Sequence, residues 1–172
     1  GIAGIGKTTL LKQLSLTAPT LRLDCSHIEP TDAGLLKALS HGLGETLTLE
    51  GIPKLSVPSS LIVLDNYESL KLLDVWVRQC LVPKLPKHLV LVLCSRQPPQ
   101  PDWFDSSGWQ GQFQTFELGP LNPHQSRLLL QEYGVHAERI PSLLGMAQGH
   151  PLALYLAACG QHRLNLSVAP SN

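Results

Sequence analysis

Gly1-Ile2-Ala3-Gly4-Ile5-Gly6-Lys7-Thr8-Thr9 opens the chain, and its spacing fits G-x-x-x-x-G-K-[ST], the pattern of a phosphate-binding loop. Glycines at positions 1, 4 and 6 permit backbone angles closed to other residues. Consecutive N–H groups, that of Ile5 included, can then turn inward and form a concave anion nest. A helix predicted to begin near Lys7 adds the positive end of its dipole. In that setting Lys7 reaches the β/γ-phosphates, the Thr8 hydroxyl ligates Mg²⁺, and Thr9 reaches the α-phosphate. A loop of this kind joins a buried strand to a helix. Nothing precedes Gly1, so the reading expects a chain cut just after its first strand.

Outward from the loop, Leu10, Leu11 and Leu14 share one face of a helix running to about Leu16, where Ala18-Pro19 ends it. TLRLDC over 20–25 alternates like a strand, and Pro30-Thr31-Asp32 is a turn able to cap the next helix at Asp32. Leu36, Leu39, Leu43 and Leu47 recur at helical spacing. Residues 50–60, rich in Gly, Pro and Ser, lead into Leu61-Ile62-Val63-Leu64-Asp65, a strand apolar on both faces that belongs inside a parallel sheet. A helix through Leu70, Leu73, Val77 and Cys80 is stopped by Pro83 and Pro86, and a second buried strand covers 88–95. Strands alternating with helices predict βαβ units and a doubly wound sheet.

Residues 97–112 read as a structured loop in which Trp103 and Trp109 anchor to the core, and 113–118 as a last short strand. The remainder is helical. Asn122 caps a helix with Pro123 at its first position and Gly134 as its stop, and two short helices over about 141–148 and 151–159 are each closed by a glycine. Residues 167–172 read as a frayed end. The expected organisation is a three-layer α/β nucleotide-binding domain over residues 1–120 and a small helical lid over 121–172.

At 172 residues the chain can bury a real core, and 43% hydrophobic with 15% charged residues argues against disorder. Thirteen basic residues balance thirteen acidic ones, which leaves no electrostatic footprint for DNA, RNA or an anionic membrane. The apolar runs are too short to span a bilayer and no signal-peptide pattern opens the chain, so a cytoplasmic location is expected. Cys25, Cys80, Cys94 and Cys159 form no C-x-x-C pair and read as free thiols, with Cys25 and His27 the only near pair.

Three residues at strand ends complete the chemistry. Asp65 closes a buried strand at the edge where open α/β sheets bind ligands, and a carboxylate there holds Mg²⁺ through water opposite Thr8, the Walker B role. Asn66 follows where many ATPases have a glutamate, and its amide cannot take a proton from water. Glu68 is the nearest carboxylate, with two readings: a catalytic base, or a first-turn acid favoured by the helix dipole. Arg96, after the next strand, has a planar fork suited to the γ-phosphate, set against the alternative of a solvent-facing cation.

GIAGIGKTTLL, LIVLDNYE, LVLVLCSR, LNPHQSRLLL and GHPLALYLAA, in this order over residues 1–160, resemble the STAND class of P-loop ATPases, related to NB-ARC and AAA+ proteins, and within it the bacterial regulators of LuxR type. The resemblance implies an ASCE/AAA+-like parallel sheet followed by a helical lid. It puts Asp65 and Glu68 in the Walker B block, Arg96 at the sensor-1 position, and Pro151 in a G-x-P motif near adenine. The missing strand would lie between those at 88–95 and 113–118. By the same resemblance the chain binds ATP or ADP with Mg²⁺ and hydrolyses slowly, as a switch that self-assembles in the ATP state. Contact with DNA would come only through domains absent here. No Asn-Lys-x-Asp guanine-reading motif occurs, which favours adenine. The rival readings are an AAA+-type motor, a small-molecule kinase and a non-functional remnant.

Overall fold

The computed structural model describes residues 2–15, 18–52, 61–105 and 112–167, with side chains to residue 160. Its sheet is parallel, in the order β1 (Thr20–Asp24), β2 (Leu61–Asp65), β3 (Val90–Leu93), with Thr20 opposite Leu61 and Leu61 opposite Val90. Every residue of β2 is buried, as its unbroken apolar run requires of a central strand. Leu61 and Val63 face α1 (Lys7–Leu14), whose Leu11 is buried against them. Ile62 and Leu64 face the opposite way, into a larger core with Leu35 and Leu39 of α2 (Asp32–Leu43) and Leu70, Leu73 and Val77. Helices therefore cover both faces of the sheet.

The sequence differs from its structure in boundary details that have local causes. Thr31, not Asp32, caps α2: its hydroxyl accepts from the Gly34 N–H at 3.0 Å. The helix ends at Leu43 because Gly44 takes a left-handed turn (φ 74°), so the buried Leu47 lies beyond it. After β2 the chain is helical through Lys84, as a 3-10 turn (Tyr67–Leu73), an α turn (α3, Asp74–Trp76), a π turn (Val77–Leu81) and a final 3-10 turn (Val82–Lys84). Pro83 lies inside this run instead of stopping it. Its ring would collide with the carbonyl four residues back in an α-helix, and the π turn relieves this by bonding Val82 N–H to the Val77 carbonyl. Cys80, expected on the buried face, is only half-buried, and Leu81 takes the core position.

β3 is shorter than expected and not buried on both faces: Val90 is 58% exposed and the rest half-buried. Residues 113–118 are not a strand. Their alternation is a local signal, but no described strand pairs with them, and Phe116 is 83% exposed. Trp103, within α4 (Asp102–Asp105), is buried and stacks on Phe113 at 5.4 Å, anchoring its loop; Trp109 lies outside the described residues. A buried polar knot supports that anchor, since Asp74 accepts from Tyr67 Oη and Trp103 Nε1, both at 3.0 Å. Arg78, also buried, pairs with Asp102 at 2.8 Å.

The chain divides into two compact units, Thr8–Phe116 and the combination of Gly1–Lys7 with Glu117–Asn172. In the second unit, α5 (Pro123–Glu132), α6 (Ile140–Ala147) and α7 (Pro151–Ser167) pack around Leu130, Ile140, Leu143 and Leu154. Asn122 and Gln125 form a complete capping box at α5, and Gly134 (φ 72°) closes its C-terminal side, as the sequence predicts. Gly149 (φ 77°) likewise follows α6. Gly160 does not end α7. It sits within the helix, which continues to Ser167, since a lone glycine weakens a helix without ending it. Residues 53–60 of the loop expected over 50–60, and most of the frayed end, fall outside the described residues. Among the described residues no helix is long and apolar enough to cross a membrane.

Candidate functional site

In the unit built from Gly1–Lys7 and Glu117–Asn172, the glycine-rich loop turns at two left-handed positions, Gly4 (φ 74°) and Gly6 (φ 99°). Both angles are those that glycine adopts without a steric cost. Ile5 between them is buried. Lys7 folds back, its Nζ donating to the Ile2 carbonyl at 2.9 Å. Gly1 lies outside the described residues.

The segment Gly149-His150-Pro151-Leu152 lies directly on this loop. Leu152 N–H donates to the Gly4 carbonyl at 3.3 Å and His150 Nε2 lies 3.0 Å from the Ala3 carbonyl. A carbonyl only accepts, so Nε2 carries the proton, which leaves Nδ1 to accept from Ala153 N–H at 3.4 Å. His150 thus caps α7 with one nitrogen and holds the loop with the other. A Cβ on Gly4 would come within 2.9 Å of both His150 and Leu152, a second reason for glycine there. Pro151 is the first residue of α7, half-buried beside these contacts. The sequence singled out Pro151 by resemblance and passed over His150, whose role depends on a partner 147 residues away.

In the unit Thr8–Phe116, α1 carries Thr8 and Thr9 exposed at its start. Thr8 lies one turn before Leu11 on the helix side that packs on Leu61 and Val63. Side chains alternate along a strand, so Asp65 projects to this same face of the sheet, as do Arg22 and Asp24 of β1. Asp65 is 4% exposed. Its Oδ2 accepts from Arg22 Nη2 at 2.5 Å and its Oδ1 from the Asn66 N–H at 3.0 Å. Asp24 is directly opposite Asp65, a like-charge pairing that needs compensation. Arg22 answers one carboxylate and Asn66 the other, donating its side-chain amide to Asp24 Oδ1 at 2.9 Å. That amide, with the Ser26 hydroxyl and N–H, holds Asp24 down from 3.8 to about 2. Asn66 adopts a left-handed backbone (φ 54°), one that asparagine tolerates better than most residues.

Glu68 and Arg96, read from the sequence as separate functional groups, meet each other. Tyr67 N–H donates to the Cys94 carbonyl at 2.9 Å, which carries the end of β3 alongside the start of the helical run. Arg96 Nε then lies 3.2 Å from Glu68 Oε1, and its backbone N–H donates to Oε2 at 3.2 Å. Arg96 remains 59% exposed and Glu68 only 20%. Arg22 and the Asn66–Asp24 bond were not legible as site features, because both depend on strand register.

The donor set suits a hard cation. Asp65 and Thr8 offer oxygen only, and each Asp65 oxygen keeps a lone pair beyond the bond it makes. Among the described residues no group of three or more His, Cys, Asp or Glu could hold a metal by itself. Mg²⁺ is commonly bound by one or two carboxylates together with substrate phosphates instead of by a cage of protein ligands. Cys25 is fully buried, and burial pushes its thiol up to about 12. No protein-family model matches the chain, and no curated protein or solved structure was found to be similar to it.

Proposed function

We propose that the chain binds ATP with Mg²⁺ on a P-loop NTPase fold and hydrolyses it slowly, as a conformational switch of the STAND type. The observation that carries this reading is the left-handed geometry of Gly4 and Gly6 immediately before α1, the backbone form that turns N–H groups toward an anion. Lys7 rests on a carbonyl of its own loop, a weak partner that β/γ-phosphate oxygens would replace with charge-assisted bonds. Thr8 and Asp65 are the residues that would hold Mg²⁺, which when bound neutralises charge developing on the β- and γ-oxygens.

Slow turnover follows from the neighbours of Asp65. Asn66 donates to Asp24 and has no basic site, which leaves Glu68 as the carboxylate able to take a proton from water. Glu68 is engaged at both oxygens by Arg96 and must be released first. An Arg96 drawn to a γ-phosphate would let go of Glu68, so the state of the nucleotide would be converted into a local rearrangement. Assembly in the ATP state, and any role in regulating transcription, belong to the same reading.

The test is titration of a fluorescent ATP analogue. Lys7→Ala weakens binding at least tenfold, about 1.4 kcal/mol, because it removes the mobile cation on the β/γ-phosphates. Unchanged affinity overturns the phosphate-loop assignment. Glu68→Gln leaves binding intact and slows phosphate release; an unchanged release rate makes Glu68 a helix acid only.

A further inference from the structure

Arg22 has no place in the chemistry derived above, yet it makes the closest contact to its central carboxylate. It lies on β1 opposite Val63, and its guanidinium crosses diagonally to Asp65 Oδ2 at 2.5 Å. The Arg22 side chain is 30% exposed and that of Asp65 6%, so the cation sits at the accessible side of a buried anion. A carboxylate so far out of water needs a positive partner at all times. Asp24, at the paired position on the same face, raises that need.

We infer that Arg22 is the resident counter-ion of Asp65, occupying its Oδ2 when no divalent cation is bound and giving it up, wholly or in part, when one arrives. This rests on the proposed Mg²⁺ role of Asp65. Two positive charges cannot both sit against one carboxylate oxygen without repelling, so the Arg22 pair competes with the cation and sets its affinity. A planar guanidinium is well suited to such service. It is charged at every accessible pH, and its long stem, already part-exposed, can swing its head toward solvent. Asp65 then stays neutralised in both states, and metal uptake becomes an exchange instead of a burial of new charge. Arg22 is in this sense a positioning residue, acting through Asp65.

The experiment measures Mn²⁺, a paramagnetic stand-in for Mg²⁺, by electron paramagnetic resonance with the full chain and a non-hydrolysable ATP analogue. Arg22→Gln keeps a donor for Asp65 but removes the charge, and should tighten Mn²⁺ about fivefold, the change expected when a part-exposed ion pair no longer competes. The analogue measured in chelator, without metal, should bind as it does to the natural chain. Arg22→Lys keeps the charge on a less directed head and should fall between the two; it also decides the matter if Arg22→Gln does not fold, as judged by circular dichroism. Equal or weaker Mn²⁺ binding in these variants overturns the inference, as does an equal change in metal-free nucleotide binding. Asp65→Asn separates the two levels. If it weakens Mn²⁺ while the Arg22 variants change nothing, only the counter-ion role fails; if Mn²⁺ is indifferent to Asp65→Asn, the functional reading fails and the counter-ion role with it.

Discussion

Two glycines, Gly149 just before α7 and Gly160 within it, should respond to alanine with opposite signs. Gly149 has φ 77°, and a Cβ there would lie far inside van der Waals contact distance of the Leu121 carbonyl oxygen and 3.2 Å from both the carbonyl carbon and the nitrogen of Leu121. Leu121 N–H donates to the Gly149 carbonyl at 2.8 Å, so the clash and a backbone hydrogen bond occupy the same spot. Forcing alanine into a left-handed conformation costs about 1–2 kcal/mol. Losing the buried bond as the backbones separate adds about 1–2 kcal/mol. Gly149→Ala should therefore destabilise by roughly 2–4 kcal/mol, a large part of the ~5–15 kcal/mol that holds a domain together. Gly160 lies within α7 with nothing inside 4 Å of its prospective Cβ. Gly160→Ala should stabilise by about 0.5–1 kcal/mol through the unfolded chain. Urea unfolding followed by far-ultraviolet circular dichroism reads both. At a slope of about 2 kcal/mol per molar urea the Gly149→Ala midpoint drops by ~1–2 M, while that of Gly160→Ala rises by a few tenths. An unshifted midpoint for Gly149→Ala would refute the packing argument, and a fall for Gly160→Ala would refute the continuity of α7.

Asp74→Ala strips the acceptor from two buried donors, Tyr67 Oη and Trp103 Nε1, and should cost about 2–4 kcal/mol, read by tryptophan fluorescence during unfolding; Asp74→Asn, which keeps a carbonyl, should cost less, and equal costs would show that the knot is not held by hydrogen bonds. Asn66→Gly preserves the left-handed backbone and removes the amide, so the Asp24 midpoint in a carboxyl NMR titration should rise from about 2 toward 3.8. Because the folded value lies below the unfolded one, this contribution to stability is full above pH 3.8 and is lost as pH falls toward 2, and the variant should lose part of that acid dependence. A midpoint that stays low would mean that Ser26 alone holds Asp24.

What the sequence revealed and what it hid divide along the range of the interactions. β2 was legible because Leu61 to Leu64 is apolar without a break, and such a run leaves few alternatives to a strand covered on both faces. The start of α5 was legible because its whole cap, Asn122 to Gln125, lies within one turn. The turn of the glycine-rich loop at Gly4 and Gly6 was legible for the same reason. Residues 113–118 misled because alternation states only which faces a strand would have, whereas a strand also needs a partner for its N–H and C=O groups. Gly160 misled because a glycine without other stop signals merely weakens a helix. Arg22, His150 and the Glu68–Arg96 contact were hidden, since strand register or chain reversal makes them neighbours and no local pattern records either.

The clasp of His150 and Leu152 on Ala3 and Gly4 also sets an order of events during synthesis. Thr8–Phe116 is contiguous, so all of its partners have been synthesised once Phe116 is made, whereas the other unit is split around it. Ala3 is made well before its clasp, which lies 147 residues later. At ~5–20 residues per second that is a wait of roughly 7–30 s. The glycine-rich stretch is thus among the last to acquire its native contacts, and a nascent chain should have a folded sheet before it has a finished loop.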